Sequence, residues 1–220
     1  MILAMRKRIK DYLVFTSGMY RGIVFLAMPL LLILIDIVLF AGLQYRCLIG
    51  QMIMAYVIIQ IEGVLDYWAF GAIAVKGGKQ LEYFKVSTRG KRIVQNALCF
   101  DLLRIFVESG LCYFVGIAIY ISTTGSTLTE QEIWISLNIF MVQYIACTLV
   151  LTFVRFFDSI LINISIAEAG VILFAFGVML GINKPGLMLA IEVIIAAISS
   201  IINIIIVMRR MEVSYCDRED

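Results

Sequence analysis

The chain has 220 residues, 62% of them hydrophobic and only 15% charged, with a mean hydropathy of +1.00 and a net charge of +2. Soluble domains are roughly 45–50% apolar and about 25% charged, so this composition excludes an ordinary soluble domain, and its recurrent apolar runs are each long enough to cross a bilayer core of about 30 Å. Five scattered cysteines (Cys47, Cys99, Cys112, Cys147, Cys216) with no Cys-x-x-Cys pair, and no histidine at all, leave no basis for a zinc site, a redox dithiol or histidine-dependent catalysis; the cysteines read as small hydrophobes.

In chain order, "MILAMRKRIKDYLVF" sets Ile2, Met5, Ile9 and Tyr12 at spacings of three and four, with Arg6, Lys7, Lys10 and Asp11 turned elsewhere. This predicts an amphipathic helix within residues 1–21, lying along the inner membrane surface with its bases toward anionic headgroups. The first span follows at Gly22–Leu43, too long for the apolar region of a signal peptide, with Pro29 as a kink. After "QYRC" the second span covers Leu48–Val75, and a basic insert leads to the third at Ala97–Ile121, which ends in the polar loop "STTGSTLTEQE". The fourth span is Ile133–Phe157, the fifth Ile160–Ile182 across the tight junction "RFFDS", and the sixth Leu187–Met208 after the turn "NKPG". The expected fold is an all-α integral membrane protein, one transmembrane domain over residues 1–220 with six spans.

Orientation follows from lysine and arginine. With the N-terminus inside, sixteen of the 18 bases fall on the inner side, Arg104 and Arg155 among them, and only Arg46 and Lys184 on the outer. Both termini and the basic insert are therefore expected in the cytoplasm, as in a multi-pass protein of the cell membrane. No nucleic-acid partner is expected. Gly18/Gly22 and Gly177/Gly181 match the spacing that lets membrane helices approach closely, a frequent chance match.

The insert "VKGGKQLEYFKVSTRGKRIVQN" carries six bases in a chain otherwise poor in charge. Within it Leu81 and Phe84 lie three apart beside Tyr83, and Glu82 can pair with Lys85 on the polar side. Gly77, Gly78 and Gly90 bound a helix of about two turns, too short to persist alone in water. Either a partner protein or the membrane surface must hold it, and aromatic anchors suit a partner's groove.

A basic interfacial helix, six spans, and "GGKQLEYFKVSTRGKR" between spans two and three, flanked by "NALCFDLLRIF", together resemble the type-2 family of ABC-transporter permeases. The resemblance implies that residues 76–95 form a coupling-helix loop in which Lys79, Leu81, Glu82, Tyr83, Phe84 and Lys85 dock on a separate ATPase subunit. It also implies two ATPase copies carrying ATP and magnesium, and a second permease subunit, identical or homologous. The outer loop that some members carry before the last span is here only "NKPG". No GxxxxGK[ST] phosphate loop is present, so this chain is expected to bind no nucleotide itself and not to be an enzyme.

Ionisable groups within spans are costly, at about 2.5–3.5 kcal/mol near the bilayer centre. Asp36, Glu62, Asp66, Asp101, Arg104, Glu108, Glu168 and Glu192 all fall there. Glu62 and Asp66 share a face of span two, while Asp101 and Glu108 flank Arg104 on span three. At about 1.5 Å per residue, Asp66 and Arg104 lie at similar depths, which predicts a pair across the hairpin whose tip is the basic insert. Such pairs either clamp the hairpin for transport or serve folding alone. Glu168 and Glu192 either face a polar conduit or carry protons. Midplane carboxylates also suit a secondary transporter, although no internal repeat is evident, and a non-transporting scaffold or immunity protein would use the insert only for binding.

Overall fold

A computed structural model describes residues 2–43, 46–74, 87–155, 157, 159–181 and 184–216. Their regular structure is entirely helical: α1 (Ile2–Phe15), α2 (Gly18–Gly42), α3 (Cys47–Ala74), α4 (Thr88–Thr124), α5 (Glu130–Val154), α6 (Ile160–Gly181) and α7 (Pro185–Cys216). Six of these, α2 to α7, are long and apolar enough to cross a membrane. This agrees with the six expected spans to within a few residues, except at the start of α4 and at the end of α7, where helix continues to Cys216.

Side-chain chemistry fixes the helix starts. Ser17 caps α2 by accepting from the Tyr20 amide at 3.1 Å, and Ser87 caps α4 by accepting from Gly90 at 2.8 Å. Thr129 and Glu132 form a reciprocal capping box at the start of α5. Between α1 and α2, Arg21 donates to the carbonyls of Leu13 (2.6 Å) and Thr16 (2.9 Å), placing a cation on the unpaired C-terminal end of α1. Pro29 lacks an amide, and the turn before it, Ile23–Ala27, widens to a π-helix in which Met28 bonds back to Ile23.

At the centre is α5. Its most apolar stretch is 78% buried, against 28% for both α6 and α7; α3, α6 and α7 surround it, while α1 and α2 pack on α4. Consecutive spans alternate in direction. Phe40 of α2 meets Tyr120 of α4 at one end (6.1 Å between ring centroids), and Asn138 of α5 donates to the Pro185 carbonyl there at 3.0 Å. At the other, basic end, Tyr12 of α1 is fully buried, with its ring 5.1 Å from Phe100 and 6.0 Å from Phe70.

Two expectations change here. The apolar face of α1 docks on the bundle: Ile9 and Tyr12 pack into the core, and Asp11, expected to turn away, accepts from Asn96 of α4 at 2.6 Å. Residues 88–95, expected within a cytoplasmic loop, are the first turns of α4, because Ser87 caps a helix there. At 37 residues α4 is about 55 Å long and outruns a bilayer core of about 30 Å. Residues Lys79, Leu81, Glu82, Tyr83, Phe84 and Lys85 lie outside the described residues.

Candidate functional site: a buried charge network

The ionisable residues of α3 and α4 converge near the basic end of the bundle. Arg104 forms a two-pronged pair with Glu62 of α3 (Nη1–Oε1 3.0 Å, Nη2–Oε2 2.7 Å). Its Nε and Nη2 also reach Oδ1 of Asp101 at 3.2 and 3.1 Å, and Nη1 reaches Glu108 at 2.7 Å. These five contacts match the five N–H donors of a guanidinium. Spacings of three and four along α4 set Asp101 and Glu108 above and below Arg104, as expected from the sequence.

The expected Asp66–Arg104 pair does not form, because each residue is held elsewhere. Asp66 takes Arg155, the C-terminal cap of α5, through Nε–Oδ2 at 2.9 Å and Nη2–Oδ1 at 2.6 Å. Arg155 also reaches Asp101 Oδ2 at 2.9 Å and Asn203 Oδ1 of α7 at 2.7 Å, with its guanidinium carbon 4.9 Å from the centre of the Phe70 ring. Asn203 in turn donates to the Thr148 carbonyl (3.0 Å) and to Thr152 Oγ1 (2.7 Å). Asp101 thus gives one oxygen to each arginine, and the network joins α3, α4, α5 and α7.

Arg155 corrects the charge count as well as the pairing. Counted with the inner-side bases at the end of the fourth span, it has a side chain only 1% exposed, as are those of Asp66, Asp101 and Glu62. Arg155 and Asn203 are the residues that the sequence reading missed. Two signals were present: Thr148, Thr152 and Arg155 make a polar stripe at spacings of four and three, and Asn203 stands alone in the run "IINIIIV".

Buried ions require partners, and here four carboxylates surround two guanidiniums. Glu108 is the least buried of the four, at 13% exposure. A cleft between α1, α2 and α4, walled by Phe25, Phe100, Leu103 and Val107, reaches both Glu108 and Arg104. The other acids named above stand apart. Asp36 is buried against Gly116 of α4, and Glu192 is buried on α7 with Oε2 lacking a partner among the described residues. Glu168 is exposed on α6 and accepts from Gln60 at 3.1 Å. No group of His, Cys, Asp and Glu suited to a metal ion occurs among the described residues. The chain matches no family model, no curated protein and no solved structure.

Proposed function

We propose that the chain is the transmembrane permease subunit of an ATP-driven exporter of the type-2 ABC kind, powered by a separate ATPase. The observation that carries this reading is the linkage of the α3–α4 hairpin to the rest of the bundle. Glu62 and Asp66 on one arm, and Asp101 and Arg104 on the other, are tied to each other and, through Arg155 and Asn203, to α5 and α7. A push at the hairpin tip would move the central helix through ion pairs rather than dissipate in lipid. In this reading the tip is cytoplasmic, with Leu81 and Phe84 seated in the ATPase. Arg6, Lys7 and Lys10, all exposed on α1, face the inner headgroups of the cell membrane.

The test is purification in gentle detergent of the wild type and of a Leu81→Ala/Phe84→Ala variant, with bound proteins identified by mass spectrometry. An ATPase retained by the wild type and lost from the variant is the expected result. A second reading, an ion-coupled carrier, draws on the excess of two carboxylates over guanidiniums and on the cleft that reaches Glu108. Purification without an ATPase in both samples would favour it.

A further inference from the structure

The cleft between α1, α2 and α4 opens sideways, where lipid would lie, and its chemistry is one-sided. Phe25, Leu103 and Val107 wall it and are exposed. Phe25 stands in the widened turn of α2, its ring 6.1 Å from that of the buried Tyr12 and close to perpendicular. Phe100, on the same cleft, packs against Tyr12 from α4 at 5.1 Å. The polar groups that reach the cleft are Arg104 and Glu108. Arg104 has nothing left to donate, because Glu62, Asp101 and Glu108 take all of its N–H groups. Glu108 gives only Oε2 to Arg104, and its Oε1 accepts no hydrogen bond among the described residues. An anion in the cleft would thus meet no free donor and, around it, more carboxylates than guanidiniums. A cation would meet a carboxylate oxygen and aromatic faces, which attract positive charge. Glu108 also lies 16 residues from exposed Arg92 and 16 from exposed Thr124, about 24 Å from each, beyond the reach of headgroups at either surface.

We propose that this cleft is a binding site for a membrane-soluble organic cation, with its charge at Glu108 Oε1 and its apolar body against Phe25, Leu103 and Val107. Such a ligand arrives through the hydrocarbon, since the walls of the cleft are exposed there. A zwitterionic lipid is a poor occupant: its phosphate would find no donor at Arg104, and its headgroup would have to leave the interface. An inorganic cation is a poor one too, because apolar walls do not replace a hydration shell. The work divides as in other small-molecule sites: the walls bury the ligand, and the carboxylate selects the sign of its charge. This inference needs only that the chain spans a membrane, and not that an ATPase powers it.

The experiment uses the full chain in gentle detergent, dialysed to equilibrium against radiolabelled tetraphenylphosphonium and, in parallel, tetraphenylborate, an anion of the same shape. With uptake by protein-free micelles subtracted, the phosphonium should bind saturably and the borate should not. Glu108→Gln keeps an oxygen for Arg104 Nη1 and removes the charge; it should weaken phosphonium binding by about tenfold or more, the effect of losing a charged partner. Val107→Trp fills the cleft from an exposed position and leaves every charge in place. It should weaken binding as much, and it keeps the test open where Glu108→Gln does not fold. Glu168→Gln, which neutralises the exposed acid of α6, should bind as the wild type does. No saturable uptake by the wild type, equal binding of the borate, unchanged binding in either folded cleft variant, or loss in Glu168→Gln would each overturn the assignment. ATPase capture reads out separately, so failure of either proposal leaves the other standing.

Discussion

At the residue scale, the two arginines decide which acids can remain in the bundle. Removing one partner of a buried ion pair strands the other, at a cost of about 3–5 kcal/mol. Arg155→Gln and Asp66→Asn should therefore each lower the midpoint of thermal unfolding in detergent. Their combination should lower it by much less than the two effects added, since contacting pairs couple by about 0.5–3 kcal/mol. Asp66→Asn with Arg104→Gln should couple less strongly, because the two residues bond different partners and are linked only through Arg155 and Asp101. Additivity in the first cycle would remove the Asp66–Arg155 pair from the fold. The contrast between the cycles also shows where sequence reading stops. Counting residues from a helix end gives depth, and by depth Asp66 and Arg104 are neighbours. It gives no bearing around the helix axis, and one turn away on the same face Glu62 takes the arginine instead. Arg155 escaped notice for a different reason: the aromatic–charged junction "RFFDS" reads as a loop, whereas the first residue of that junction caps α5 and turns inward.

At the element scale, hydropathy delimits α3, α5, α6 and the start of α7 well, because an apolar run can satisfy its backbone in a bilayer only as a helix; the helix of α7 then continues past Met208 to Cys216. Hydropathy also fails at the start of α4, where helix continues past the apolar stretch on the strength of the Ser87 cap. Glycine spacing was only half informative. A Cβ at Gly177 would lie 2.6 Å from Val142, and one at Gly170 would collide with Val150, so α6 lies against α5 along a glycine stripe. Gly18 and Gly22 face open space, so their spacing serves no helix contact within this chain. Gly170→Val should then destabilise the protein by about 1–3 kcal/mol, the cost of overpacking, whereas Gly22→Val should leave the unfolding midpoint unchanged. Equal loss of stability in both variants would mean that α6 packs less tightly on α5 than this geometry requires.

At the scale of the whole molecule, two arginines leave the orientation count once they are seen inside the bundle. Arg104 and Arg155 were among the sixteen bases assigned to the inner side, and both are buried in the charge network. The remaining fourteen still outnumber Arg46 and Lys184, and the first turn of α5 adds Glu130 and Glu132 at the opposite end, so the positive-inside argument survives its own correction. It predicts that the end bearing α1 and the start of α4 faces the cytoplasm. Ser126, in the loop between α4 and α5, and Thr88, at the start of α4, are both exposed and mark the two ends. The native Cys47, Cys112 and Cys147 are buried, and replacing Cys216 and the half-buried Cys99 by Ser leaves a low background for thiol labelling. A membrane-impermeant maleimide applied to intact cells should label Ser126→Cys but not Thr88→Cys, and permeabilising the cells should expose Thr88→Cys. The reverse pattern would put the basic end outside. It would also remove the hairpin tip from the compartment where ATP is found, so the exporter proposal would fall with the orientation, while the charge network would stand.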